Sequence, residues 1–162
     1  MQTSTKSSAW LFLITFALVF YGMGAAAVES FVNYPTWPLI GANEFQAYHR
    51  ALGPLIIGHM VIPMLVTTIL TILLLWIRPA SIPRWMVWSA ILLQLVVWVS
   101  TATIQLPIQG QLSAHGLSVP LIDRLSVTSF WFRRVPHIAN AFLFLGMMSI
   151  LLRGNVRHSA EA

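Results

Sequence analysis

Residues 51–77 read ALGPLIIGHMVIPMLVTTILTILLLWI. No Asp, Glu, Lys or Arg interrupts them, and His59 is their one ionisable side chain. Roughly 20 apolar residues in a helix cross the hydrocarbon core of a bilayer. This stretch therefore reads as a membrane span. Three further segments share its character, at about 10–32, 85–105 and 125–152. The last carries Arg133, Arg134 and His137 near its start. In the first, Ala25-Ala26-Ala27 fits a signal-peptide cleavage pattern. Its apolar stretch is longer than a usual signal core and only Lys6 precedes it, so it reads as a retained helix. The expected fold is an all-α integral membrane protein: an antiparallel, up-down four-helix transmembrane bundle, one domain over residues 1–162.

Composition agrees. Of the 162 residues, 57% are hydrophobic and 8% charged, and the mean hydropathy is +0.78. A soluble domain of this size carries far more charge. The net charge is +5, but the basic residues are scattered singly, with no nucleic-acid motif. They read as helix-end anchors, and nucleic acid is excluded as a partner. With no cysteine, disulfides, thiolate catalysis and Cys-ligated metals are excluded as well.

Lys6, Arg78, Arg84, Arg153 and Arg157 share one side of a four-span topology. The positive-inside rule then places both termini in the cytoplasm of a multi-pass protein, here assigned to a bacterial inner membrane. The link IRPASIPRW, with Pro79 and Pro83, is a tight inside turn.

Polar residues gather in the opposite, outer half. Glu29 and Asn33 are four apart on one helix face. His59 sits about two turns into the second span. Gln94, Trp98, Thr101 and Gln105 form one stripe on the third, and Arg133, His137 and Asn140 another on the fourth. Ionisable groups in a bilayer are costly and face a bundle interior or a wet cavity. All four helices are thus expected to share one outward-opening polar pocket. Pro63 and Pro136 would free the carbonyls of His59 and Phe132. Gly22, Gly24 and Ala25 to Ala27 suit close helix packing.

The outer segment 33–50 reads as a lid. Pro35 and Pro38 are expected to end the first helix, and Asn43, with Gln46 three residues on, to cap a new one. Tyr34, Trp37 and Tyr48 fit an interfacial aromatic belt. His49 reads as a surface residue at the rim.

Each candidate has a structural alternative. Glu29 serves as general base, metal ligand or counter-ion, or else pairs with Arg133 or Arg134. His59 serves chemistry, or hydrogen-bonds Gln105 or a threonine across the bundle. His137 and Arg133 hold an anionic or quinone-like oxygen, or the arginine snorkels to headgroups. Asn33, Tyr34, Trp37, His49, Trp98, Thr101, Gln105, Gln109, Trp131 and Asn140 complete the candidate binding set. No HExxH, Walker loop or Gly-rich dinucleotide turn is present. A transition metal would need His59, His137 and Glu29 together, and a haem would need His59 and His137. A site with no cofactor stands beside both.

Tyr34-Pro35, Phe45 with Tyr48-His49, Gln105-Leu106-Pro107 with Leu112, and Leu125, Trp131 and Arg133 resemble short motifs of small four-span bacterial proteins. These are distantly similar to the anthrone-oxygenase-like family. Phe130 stands where that pattern has Asn, and His59 lies near the place of an expected carboxylate. The resemblance implies oxidation of a lipophilic, phenol-type polycyclic substrate by oxygen. His59 or Glu29 would take a proton from the reduced ring, and Arg133, His137 and Gln105 would stabilise the oxyanion. Two other classes compete with this oxidoreductase reading. One is a non-catalytic subunit or assembly factor of a larger membrane complex, or a homo-oligomer. The other is a small transporter, disfavoured because the cytoplasmic half offers no polar pathway.

Overall fold

The computed structural model describes the backbone of residues 2–160 and the side chains of residues 6–153. Arg157 and His158 lie outside the described side chains. Four long helices account for almost all of the chain: α1 (Lys6–Leu39), α2 (Ala42–Ile77), α3 (Arg84–His115) and α4 (Val119–Arg153). Helices adjacent in sequence pack together, and α1 also packs on α4, which closes an antiparallel ring. All four are long and apolar enough to cross a membrane. The chain is a multi-pass membrane protein whose outward surfaces meet lipid.

The helices are longer than the sequence suggests. At 32 to 36 residues each, they extend about 50 Å at ~1.5 Å per residue, well beyond a hydrocarbon core of about 30 Å. The half remote from the termini is the outer half. α1 does not stop at Pro35 but runs to Leu39. Asn43 is not a cap either: Gly41 precedes the first residue of α2, and its carbonyl accepts from the Glu44 and Phe45 amides. The α3–α4 link turns on Gly116, whose φ of 85° suits glycine and whose amide donates to the Leu112 carbonyl at 3.0 Å.

One local device recurs in every helix. A π-helical turn occupies Glu29–Asn33, Ile57–Val61, Thr101–Gln105 and Phe130–Arg134. Each turn is followed, two residues later, by a proline: Pro35, Pro63, Pro107 and Pro136. A proline inside a helix lacks its donor and crowds the carbonyl four residues back. Widening the preceding turn relieves the crowding and lets the helix continue. In lipid no water is available for the freed carbonyls. Two of them find side-chain donors. Tyr21 Oη donates to the His59 carbonyl at 2.7 Å, and Ser100 Oγ donates to the Phe132 carbonyl at 3.2 Å.

Two apolar cores bracket a polar middle. The one near the termini joins Phe12, Leu74, Met86, Phe144 and Met147 from all four helices. The outer one joins Tyr34, Trp37 and Phe45 to Ile108, Leu112, Ile122 and Leu125. Tyr34 and Trp37 are thus core residues, each 1% exposed, and do not belong to a belt at the membrane surface. Tyr48 alone of the three is exposed. The exposed tryptophans nearest the termini are Trp10, Trp76, Trp85 and Trp88, at one helix end, where amphipathic rings favour the interface.

The pairing of proline with a side-chain donor is testable by a double-mutant cycle. Tyr21→Phe should cost about 0.6–1 kcal/mol of stability in detergent, the worth of one hydrogen bond in this setting. In a Pro63→Ala background, where residue 63 regains an amide, the same change should cost less than half as much. Equal costs in both backgrounds would break the link.

Candidate functional site

Between the outer core and the π turns lies a cavity of about 430 Å³ to which all four helices contribute. α1 supplies Glu29, Tyr34 and Trp37, and α2 supplies His49, Gly53 and Ile56. α3 supplies Thr101, Gln105 and Gln109, and α4 supplies Arg133. The glycines keep it open: a Cβ on Gly53 or Gly110 would meet nothing within 4 Å. The same holds for Gly22 and Gly24, so those residues do not serve close helix packing. They widen voids.

His49 is buried, 6% exposed, contrary to its reading as a rim residue. One ring nitrogen bonds Ser113 Oγ at 2.9 Å and the other Gln109 Oε1 at 2.6 Å. The ring stacks on Phe45 and meets the edge of Trp37. Gln46 and Arg50 also bond the α3 end, through the Ser113 and Ala114 carbonyls. The expected lid is therefore a helical hairpin stapled to α3, and its inner face forms the cavity wall.

On the opposite wall Arg133 Nη1 donates to Tyr34 Oη at 3.1 Å. The Tyr34 hydroxyl also lies within reach of the Glu29 carboxyl, which Asn33 Nδ2 holds by a short hydrogen bond one turn along α1. Glu29 is 3% exposed. A carboxyl, a phenol and a guanidinium thus form a line across α1 and α4. Arg134 points elsewhere, its guanidinium 3.5 Å from the centre of the Phe31 ring. Adjacent arginines on one π turn divide the work, one inward and one stacked on an aromatic ring.

Six buried polar atoms have no hydrogen-bond partner among the described residues. Four belong to residues that line this cavity: Trp37 Nε1, Arg133 Nε, Thr101 Oγ1 and Gln105 Oε1. Leaving such a group unpaired costs about 1–3 kcal/mol, and the residues that carry these four meet around one space. The other two, Gln94 Oε1 and Asn140 Oδ1, line a small deeper void together with His137. A second small void, lined by Thr101, Arg133 and His137, lies between it and the cavity. Toward the termini this polar file gives way to the apolar core around Phe12 and Phe144.

The sequence-derived set divides accordingly. Glu29, Tyr34, Trp37, His49, Thr101, Gln105, Gln109 and Arg133 meet around the cavity. His137 and Asn140 lie deeper. Trp98 is a strut whose Nε1 donates to Thr68 Oγ1 at 3.0 Å, beside the Gln94–Thr71 bond. Trp131 is 60% exposed on the lipid side. Asn33 and His59 line a separate groove between α1 and α2. His59 does not reach Gln105 or a threonine: its Nδ1 bonds the Leu55 carbonyl of its own helix at 3.0 Å. The proposed metal and haem sets therefore do not assemble. His59 lines neither void that His137 lines, and no cluster of three His, Cys, Asp or Glu side chains occurs among the described residues.

Ser113, Gly53 and Gly110 were not expected at the site. Ser113 continues the α3 stripe through Gln105 and Gln109 at steps of four. That signal is lost if the helix is taken to end before Pro107. Comparison of the chain with protein-family models, with curated proteins and with solved structures finds no match.

If the unpartnered atoms are kept for a ligand, they should cost stability when the site is empty. Gln105→Leu removes one such acceptor and should leave the melting temperature of purified protein unchanged or raised. His49→Leu breaks two satisfied bonds and should destabilise by about 1–3 kcal/mol. A large loss in Gln105→Leu would make that residue structural.

Proposed function

We propose that this protein binds a lipophilic ring compound bearing hydroxyl or carbonyl oxygen, of phenol or quinone type, in the outer cavity and acts on it as an oxygenase-like oxidoreductase. The observation that carries this reading is a largely apolar space of about 430 Å³ around which Trp37, Arg133, Thr101 and Gln105, each with an unpartnered polar atom, meet. Small-molecule sites have this character, with volumes of roughly 300–1,000 Å³. Trp37 Nε1 and Arg133 Nε would donate to a ring oxygen. Gln105 Oε1 and Thr101 Oγ1 would accept from a ring hydroxyl.

The resemblance to the anthrone-oxygenase-like family supplies the reaction class. Glu29 takes the place of the base, since it lines the cavity and His59 does not. A reduced ring methylene gives a proton to the Glu29 carboxylate. The carbanion adds to dioxygen, takes a proton to become a hydroperoxide, and loses water to leave a ring carbonyl. Arg133, through Tyr34 and its own free Nε, stabilises negative charge on the ring oxygen during proton removal. With Lys6, Arg78, Arg84 and Arg153 at one end of the bundle, the positive-inside rule puts the termini in the cytoplasm and the cavity on the far side.

Equilibrium binding of a tail-free naphthol or naphthoquinone to protein in lipid nanodiscs tests the site. Gln105→Leu should weaken binding roughly 5–10-fold and Arg133→Leu roughly 10–100-fold. Trp131→Ala, on the lipid surface, should leave it unchanged. Equal binding by all four proteins would refute the assignment.

A further inference from the structure

Outside the cavity, a second space of about 520 Å³ runs between α1 and α2 and opens to the lipid side. Its walls are mostly apolar: Phe20, Val28, Leu55 and Met60, with Gly24 and Ala25 as its floor. Val28 and Leu55 are more than half exposed. A Cβ on Gly24 would touch nothing within 4 Å, so the groove is wide because of that glycine. Two residues, Glu29 and Ile56, line both this groove and the polar cavity. The two spaces adjoin at these residues, and the cavity carries more of the polar groups.

Their depths differ in the same sense. The cavity mouth carries Arg50, Gln109 and Ser113 at the outer ends of α2 and α3. The groove descends from Glu29 to Phe20 along α1, about 13 Å at ~1.5 Å per residue. That descent runs toward the mid-plane of the bilayer, through apolar side chains only after Glu29 and Asn33 are passed, apart from Tyr21, whose hydroxyl is engaged by the His59 carbonyl, and His59. A molecule that fills both spaces has a polar head near the interface and an apolar tail pointing into the membrane.

We propose that the ligand is an amphiphile whose ring occupies the cavity while its alkyl or isoprenoid tail lies in the α1–α2 groove, with Glu29 and Ile56 at the junction. This deepens the ring-binding reading above and rests on it. The groove also gives the ring a lateral route from the lipid, past Ile56, so the compound need not leave the bilayer to reach the site. Lipid tails at an unshaped helix surface gain nothing by comparison, because only a tail joined to a bound ring is held at high effective concentration in the groove.

The test compares two naphthoquinones in nanodiscs, one tail-free and one carrying a prenyl-type tail, against wild type, Gly24→Leu and Leu55→Trp. Neither substituted residue lines the cavity. Affinities are referred to the concentration of each compound in the lipid, which removes simple partitioning. The wild type should bind the tailed compound at least fivefold more tightly. Gly24→Leu and Leu55→Trp fill the groove from its two walls. Each should abolish that gain and leave tail-free binding unchanged. A wild type indifferent to the tail, or a tail preference that survives both substitutions, would overturn the inference while leaving the ring site standing. Binding of neither compound to the wild type would overturn the ring site, and this inference with it.

Discussion

A proline within a membrane helix leaves the carbonyl four residues earlier without a donor, and the hydrocarbon offers no water to replace it. At Pro35, Pro63, Pro107 and Pro136, one in each helix, this chain meets that constraint with the same solution: the turn before the proline widens to π geometry, whereas Pro54 sits in α2 without a π turn before it. The consequences reach the whole outer half. Helices that would have ended at Pro35 and Pro107 continue past them, which lengthens the outer half. One π turn also turns a neighbouring pair of side chains to different sides. Arg133 and Arg134, consecutive on one such turn, bond Tyr34 and stack on Phe31 respectively.

The polar middle lies between two apolar cores. Toward the termini, Phe12, Met86, Phe144 and Met147 fill the bundle, and Gln94 is tied to Thr71. Toward the outside, Tyr34, Trp37 and Phe45 pack on Ile108, Leu112 and Leu125. Between these plugs the glycines hold space open where a larger residue would close it. A bundle selected for packing alone would fill such voids and pair such atoms, because cavities and unsatisfied groups each cost stability. Their retention in one place fits the proposed binding site.

The architecture was legible in the sequence because hydropathy over a span is a sum, insensitive to local detail. The freed carbonyls of His59 and Phe132 were legible too, since the chemistry of proline fixes them, although their donors Tyr21 and Ser100 were not. Side-chain direction was the part that sequence could not give near the π turns. One additional residue in a turn rotates everything after it by about 100° relative to a regular helix. His59, inside such a turn, faces a lipid-side groove and not the axis. His49 is the converse case: a surface position by hydropathy became buried because the hairpin carrying it packs against α3. Glu29, Gln105 and Arg133, each within a π turn, line the cavity.

Photolabelling bears most directly on whether the outer cavity holds a lipophilic ring. A photoreactive naphthoquinone in the bilayer, followed by mass spectrometry of the labelled peptides, reports which side chains the ring touches. The account predicts modification within residues 29–37, 49–56 and 101–109, and protection of these sites by excess unlabelled naphthoquinone. Label spread over lipid-facing positions such as Trp131 and Phe142, unaffected by competitor, would contradict it.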